Sequence, residues 1–198
     1  SVTATNDPPS ANDDTTTVIE DSSNNQINVL VNDNDIDGDP LTVIGITQPV
    51  HGSVSFTTSV VFYTPQTNFV GADSFTYTAS DGLGGTDTAT VTVTVTNIND
   101  PPNANEDMES VVEDSTNNQI EALANDYDIY GDLITIIGIT QPTHGSATYS
   151  TSYVYYSPSL NYNGHDTLSY TISDGYGGTD IAIITVTVTS VNDPPIAY

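Results

Sequence analysis

The residues best placed to do chemistry in this chain are closely spaced carboxylates. The segment Asn32–Asp39 (NDNDIDGD), called the acidic loop, carries four aspartates at alternate positions. Two carboxylates about 4 Å apart repel by roughly 1 kcal/mol in water and by several times more near a protein surface. Such a loop is stable if its side chains spread into solvent or if they hold a hard cation. Because Ca²⁺ takes about six to eight oxygen ligands from irregular loops, both interpretations remain open.

An internal repeat shows which part of the chain carries this loop. Asn6-Asp7-Pro8-Pro9 recurs as Asn99–Pro102 and as Asn192–Pro195, at a spacing of 93 residues each time. A period of this size corresponds to one small domain. The sequence therefore predicts a tail and linker in residues 1–9, a first repeat in 10–98, a linker in 99–102, a second repeat in 103–191, and the start of a further linker and repeat in 192–198. We expect the chain to be a piece of a longer tandem array.

Each repeat shows the alternation of short β-strands. In the segment Thr88–Thr96 alanine and valine alternate with threonine, which places the apolar side chains on one face. The pattern predicts six further strands in the first repeat, at 16–19, 26–31, 41–47, 52–57, 60–64 and 74–80. We therefore predict an all-β protein of two tandem immunoglobulin-like, cadherin-like Greek-key β-sandwiches with about seven strands each. The chain has no Cys and no Trp, so the Cys–Trp–Cys core of antibody domains is absent.

Further acidic residues fall in loops that a sandwich brings to its two ends. Consecutive strands run antiparallel, so alternate loops share an end. On this basis we expect one set of oxygen ligands to converge between the two repeats: Glu20, Asp73, Asn99, Asp100, Asp126, Asp128 and Asp174. The corresponding set at the other end of the first repeat is Asp7, Asp33, Asp35 and Asp81. Each residue also has a structural alternative, since Asp81 can cap a turn and Asp100 can simply precede the prolines.

The composition excludes several classes of partner. The chain has 26 acidic residues and neither Lys nor Arg, which gives a formal net charge of −26. Binding of nucleic acid through its phosphates requires basic side chains, and so does attraction to anionic lipids. The absence of Cys excludes disulfides and thiolate metal sites. No apolar run approaches the length of a membrane span, so we expect no direct membrane insertion.

Three segments together resemble the cadherin-like tandem repeats of large bacterial surface adhesins and secreted multidomain proteins: Val31–Thr42, Thr76–Gly82, and Ala89–Thr96 followed by Asn99–Pro102. The resemblance covers the whole chain. It implies an extracellular or cell-surface location, Ca²⁺ as the cofactor, and a structural or adhesive role without enzymatic activity. The partners it implies are neighbouring repeats of the same chain, with a cell-surface protein or polysaccharide as a further candidate.

Animal cadherins show a more distant resemblance in the residues that enclose calcium between their domains. The matching residues are Glu20, Asp73, Asn99 with Asp100, Asp126 with Asp128, and Asp174. The two repeats differ inside the acidic loop, because Tyr130 stands where the first repeat has Asp37. An ion held by Asp37-Gly38-Asp39 would therefore be weakened or lost in the second repeat.

The second repeat also carries most of the tyrosines, which supports an alternative function. Tyr149, Tyr153 and Tyr155 belong to one predicted hairpin and are expected on one face, where tyrosine suits contact with a sugar or a protein. The alternative is therefore a calcium-dependent carbohydrate-binding module.

The sequence contains no recognisable Ser–His–Asp motif, so catalysis is the least favoured interpretation.

Overall fold

The structure is a computed structural model that describes residues 5–192. The strand end predicted before residue 5 and the further repeat predicted after residue 192 lie outside the described residues. The chain divides into two compact units, Ser1–Ile98 and Asn99–Tyr198. Between residues 5 and 192 every regular element is a β-strand, and no helix there is long and apolar enough to cross a membrane.

The first unit has seven strands, as the alternation predicts. Their bounds are β1 (Asp14–Ile19), β2 (Asn25–Ile27), β3 (Thr42–Ile46), β4 (Gly52–Phe56), β5 (Val61–Pro65), β6 (Gly71–Ser80) and β7 (Thr86–Thr96). One sheet has the order β1-β7-β6-β3 and the other the order β2-β5-β4. The all-β prediction of an immunoglobulin-like sandwich is confirmed.

One pairing in the first unit departs from the antiparallel rule. β1 lies parallel to β7, with Asp14 opposite Val91 and Ile19 opposite Thr96. The remaining pairs are antiparallel, and β3 carries a bulge between Val43 and Gly45. The first and last strands of the unit are therefore hydrogen-bonded neighbours that run in the same direction.

The core of the first unit lies between its two sheets. Ala89, Val91, Val93 and Val95 are all buried, as the alternation with threonine predicts. Tyr63 and Tyr77 are also fully buried core residues. Burial of apolar surface contributes about 25 cal/mol per Å² and is the main term that stabilises such a sandwich.

Most strand boundaries lie within two residues of the sequence prediction, and two differ by more. β2 ends at Ile27 instead of Val31, because the chain turns there and the Val31 N–H donates to the Asn28 carbonyl at 3.4 Å. β6 begins at Gly71, three residues before the predicted start, because its antiparallel pairing with β7 extends to the Gly71–Val95 pair.

The second unit repeats this architecture. Its strands are β8 (Asp107–Val112), β9 (Asn118–Ile120), β10 (Thr135–Ile139), β11 (Gly145–Tyr149), β12 (Val154–Pro158), β13 (Gly164–Ser173) and β14 (Thr179–Thr189). The sheets have the orders β10-β13-β14-β8 and β11-β12-β9, and β8 runs parallel to β14. Tyr156 and Tyr170 are fully buried here, in the places of Tyr63 and Tyr77. On the outer face, Ile181 and Ile183 are exposed.

Candidate metal centre

The acidic loop of the first unit folds around the carboxylate of Asp35. Asp35 Oδ1 accepts the backbone N–H of Asp37 at 2.8 Å and that of Asp39 at 3.4 Å. Gly38 lies between them at a φ of +80°, a left-handed conformation that glycine adopts at no steric cost. Its N–H donates to the Asp35 carbonyl at 3.2 Å. This tight turn brings three aspartate side chains together.

The carboxylates of Asp35, Asp37 and Asp39, called the carboxylate triad, offer oxygens that lie within 4.8 Å of one another. Asp35 Oδ2 is buried and accepts no hydrogen bond. Burial raises the pKa of Asp39, and the charges of Asp35, Asp37 and Asp81 raise it further. Crowded carboxylates with a buried, unsatisfied oxygen are unfavourable unless a positive charge balances them. The triad therefore fits a hard cation with oxygen ligands.

Asp81 follows β6 and organises the turn to β7. Its carboxylate accepts the N–H of Leu83 at 2.7 Å and the N–H of Gly85 at 3.0 Å. It also accepts the side-chain amide of Asn6 at 2.8 Å. The Asn6 hydrogen bond lowers the pKa of Asp81, and the backbone N–H groups of the turn lower it further. Asp81 therefore caps the turn, which is the structural alternative that the sequence analysis offered for this residue. Its role as a cation ligand stays a prediction.

The segment that precedes β1 is held against the acidic loop. The N–H of Asp7 donates to Asp37 Oδ2 at 2.9 Å. Ser10 and Asn34 form an isolated antiparallel bridge through two backbone hydrogen bonds of 2.8 and 3.1 Å. Through these contacts the Asn-Asp-Pro-Pro segment belongs physically to the repeat that follows it.

Asp33 ties the acidic loop to the core. Both of its carboxylate oxygens lie within hydrogen-bond distance of the Tyr77 hydroxyl, at 2.9 and 2.8 Å, and Oδ1 also accepts the Asn12 N–H at 2.8 Å. Asp14 lies beside this pair: burial raises its pKa to about 6, and the charge of Asp33 contributes. The carboxylate of Asp33 already accepts hydrogen bonds from protein donors, and these bonds explain its position without a bound ion.

The second unit keeps this framework but loses one carboxylate. Asp126 takes the place of Asp33 and contacts the Tyr170 hydroxyl at 3.0 Å. Asp128 Oδ1 accepts the N–H groups of Tyr130 and Asp132 at 2.9 and 3.3 Å, and its Oδ2 is buried without a hydrogen bond. Since Tyr130 replaces Asp37, two carboxylates remain where the first unit has three.

The predicted linker 99–102 makes contacts with its own unit. The Asn99 side-chain amide donates to Asp174 Oδ2 at 2.7 Å, and Asp174 Oδ1 accepts the N–H groups of Tyr176 and Gly178 at 2.7 and 3.0 Å. The Asn99 hydrogen bond lowers the pKa of Asp174. Asp100 is partly buried and follows directly. The domain boundaries derived from the sequence stay predictions. The hydrogen bond from Asn99 to Asp174 lies within the second unit.

The other predicted ligands of the first unit lie near the end of β7. Glu20 is 2% exposed, and its Oε1 accepts the Ile98 N–H at 2.9 Å. Asp73 is also buried, and its Oδ2 accepts the Tyr63 hydroxyl at 3.0 Å and the His51 N–H at 3.1 Å. Both side chains therefore stabilise the fold, and a role in cation binding stays a prediction for each.

Three acidic residues with structural roles lie outside the predicted ligand set. The sequence suggested Asp37 and Asp39 only as holders of a separate ion, whereas the structure groups them with Asp35 in the carboxylate triad. Glu113 is the counterpart of Glu20, 93 residues later, and accepts the Val191 N–H at 2.6 Å. The repeat spacing was a sufficient signal for Glu113. For the triad, the alternating aspartates of the acidic loop were the signal in the sequence. Which of them meet depends on the turn at Gly38, which only the structure shows.

The tyrosines of the second unit do not form one face. Tyr153 and Tyr155 have ring centroids 6.5 Å apart, with the rings tilted at 56°. Tyr149 pairs with the buried Val154, and its hydroxyl donates to the Ile137 carbonyl at 2.9 Å. The expectation that Tyr149 shares the face of the other two is therefore wrong, because it reaches across to β10.

The fold is shared with cadherin ectodomains. The crystal structure of human CDH23 EC21-23 is similar, with a TM-score of 0.52 and 17% identity over 89% of this chain and 67% of that chain. Mouse Cadherin-23 EC22-24 matches with a TM-score of 0.52 and 17% identity, over 91% of this chain and 64% of that one. At this level of identity the likeness concerns the fold alone.

The sequence matches one known protein and one family of domains. Protein GAMETE EXPRESSED 2 of Arabidopsis thaliana is 35% identical over 94 residues, which are 48% of this chain and 10% of that protein. The family model described as bacterial Ig domain matches twice, at residues 6–94 and 99–187. Both matches begin within an Asn-Asp-Pro-Pro segment, in agreement with its contacts to the following repeat. The chain therefore belongs to the bacterial Ig domain family and consists of two tandem, cadherin-like copies of that domain.

Proposed function

We propose that this chain is a calcium-stiffened structural or adhesive repeat module of an extracellular surface adhesin or filament. The observation that carries the proposal is the carboxylate triad with the buried, unsatisfied Asp35 Oδ2. The chain has no Lys and no Arg, so no permanently charged basic side chain can balance these charges. A bound Ca²⁺ supplies the missing positive charge and accepts carboxylate and carbonyl oxygens in an irregular loop.

The residues that would hold the ion follow from this geometry. In the first unit they are Asp35, Asp37 and Asp39, and in the second unit Asp128 and Asp132 are their counterparts. The remaining predicted ligands stay part of the proposal: Glu20, Asp73, Asn99, Asp100, Asp126, Asp174, Asp7, Asp33 and Asp81. Most of these already accept hydrogen bonds from protein donors, which orient their oxygens and hold the surrounding turns.

The strand order of each repeat supports a role in bearing tension. β1 is paired in parallel with β7 over six residue pairs. The chain enters β1 at one end of the pair and leaves β7 at the opposite end, so a pull along the chain slides the two strands past each other. All the hydrogen bonds of the pair then share the load, because none can open before the others. β8 and β14 have the same arrangement in the second unit.

The calcium part of the proposal is tested by thermal unfolding. With a dissociation constant of about 10⁻⁴ M, Ca²⁺ at about 10 mM stabilises the native state by about 2.7 kcal/mol. We expect the melting temperature to rise in calcium and to return to its initial value in chelator. Asp37→Asn should reduce the calcium-induced rise in the melting temperature of the first unit. Glu121→Gln removes an exposed charge outside the carboxylate triad and should leave that rise unchanged. Identical melting curves in calcium and chelator would exclude the calcium proposal.

The structural part is tested separately by force. Pulling single molecules should reveal two unfolding events, one per repeat, at forces typical of strands loaded in shear. Proline at Thr16 removes a backbone N–H from the β1–β7 ladder and should lower the force of one event only. If both repeats open at very low force, with or without calcium, a role in bearing tension is refuted.

A carbohydrate-binding function is a second candidate, favoured by one cleft. This cleft of about 260 Å³ in the second unit is lined by Glu121, Leu123, Ala124, Ser152 and Tyr153. The first repeat has Asn28 and Val60 in place of Glu121 and Tyr153. A glycan array probed with and without calcium tests this function, and Tyr153→Val should abolish any signal. A signal that persists in that variant would place the sugar elsewhere.

A further inference from the structure

Asn163 and Gly164 form the single Asn-Gly step in the chain. Asn163 is exposed and lies in the loop before β13, and Gly164 is the first residue of that strand. Gly164 has a φ of +139°, which side-chain-bearing residues rarely adopt. The equivalent step in the first repeat is Val70-Gly71. The second repeat therefore has a reactive step that the first repeat lacks.

The chemistry of such a step needs no enzyme. The peptide nitrogen of Gly164 attacks Cγ of the Asn163 side chain, and glycine offers no side chain to obstruct the approach. The new C–N bond forms as the Cγ–Nδ2 bond breaks, the Gly164 N–H proton passes through solvent to the leaving group, and ammonia departs. Water then opens the resulting succinimide to aspartate or isoaspartate. No oxidant or reductant is involved, and water is the only co-reactant.

The local structure leaves the amide of Asn163 free to react. Its side-chain amide donates a hydrogen bond to Glu113 Oε2 that is long at 3.4 Å, and bonds of that length are weak. Gly164 pairs with Val188 at the beginning of the β13–β14 ladder. The end of a ladder opens more readily than its middle, which releases the Gly164 nitrogen for attack.

The product changes the charge next to a buried acid. Glu113 is 6% exposed and accepts the Val191 N–H at 2.6 Å. Deamidation replaces the amide that donates to Glu113 with a carboxylate that repels it, and this repulsion is stronger near a buried group than in water. We propose that Asn163 is a spontaneous deamidation site that, with time, adds a negative charge beside Glu113 and loosens this end of the second repeat.

The site is tested by ageing the whole chain in mildly alkaline buffer at constant temperature. Intact mass follows the conversion of amide to acid, and peptides from a protease that cuts at aromatic residues locate it by fragmentation. Most of the acidic product should map to residue 163, and Asn163→Gln should lose it. In that same background, Val70→Asn creates the step in the first unit and should restore a product there. An even distribution over other asparagines would overturn the proposal.

The structural consequence has its own readout. Asn163→Asp should melt about 4 °C below Asn163→Gln, a shift typical of one modest interaction lost in a domain of this size. The first unit should melt unchanged in both variants. Equal melting of the second unit in the two variants would show that the new charge does not act on Glu113.

Discussion

Replacing the partly buried aspartates at the start of β1 and β8 should flatten the dependence of stability on pH. Asp14 and Asp107 each lie beside a core tyrosine and a second aspartate, Asp33 or Asp126. One oxygen of each, Oδ2, is buried and accepts no hydrogen bond. Burial raises the pKa of both carboxyls from 3.8 to about 6. The native state therefore holds protons here that the unfolded state has already released.

The sign and size of the effect follow from proton linkage. Between pH 3.8 and about 6 the native state binds more protons than the unfolded state at these positions. Stability from this source is complete below pH 3.8 and is lost as the pH rises through 6. A difference from 3.8 to about 6 corresponds to about 3 kcal/mol at 1.36 kcal/mol per pH unit. Because both groups are partly exposed, solvent screening reduces the effect to about 1 kcal/mol per site.

The assay is urea unfolding at pH 5 and pH 7 without divalent cations. Asp14→Asn should lose less stability than the parent chain between the two pH values, by about 0.5 kcal/mol in the first unit, because the interval from pH 5 to pH 7 spans less than half of the full effect. Asp107→Asn should do the same in the second unit, which makes the two variants independent replicates. Glu121→Gln removes one exposed charge and serves as the control. If both aspartate variants follow the parent chain at the two pH values, the argument from burial is refuted.

Two further predictions follow from close contacts, and a third concerns calcium. Gly178→Ala should destabilise the second unit by about 2 kcal/mol, because the new Cβ would overlap Asp174 and lie 2.7 Å from Pro101 Cα. Gly138→Ala is the control, since its Cβ meets no atom within 4 Å, and calorimetry measures the melting temperature of each variant. Tyr156→Phe should cost about 1–2 kcal/mol, since Asp166 loses its hydroxyl donor at 3.0 Å, and urea titration measures this. In calcium, X-ray scattering should give a longer and narrower distance distribution than in chelator, and identical profiles would refute stiffening.

The sequence by itself determined the repeat and the type of its elements. A spacing of 93 residues and the alternation of valine with threonine predict two seven-stranded sandwiches, because a period of two residues fixes which side chains enter the core. The same alternation places Ala89, Val91, Val93 and Val95 on one face, and all four are buried. The acidic loop was also visible, since its charge density is a local property.

Only the tertiary structure decided which carboxylates meet and which are already engaged. Asp33 and Asp35 are equivalent in a sequence pattern, yet Asp33 contacts Tyr77 whereas Asp35 Oδ2 has no donor. That difference depends on contacts across 44 residues, which local spacing does not contain. The parallel pairing of β1 with β7 and the hydrogen bond from Asn99 to Asp174 are of the same kind. Each joins segments about 75 residues apart, and only the packing of the folded chain brings them together.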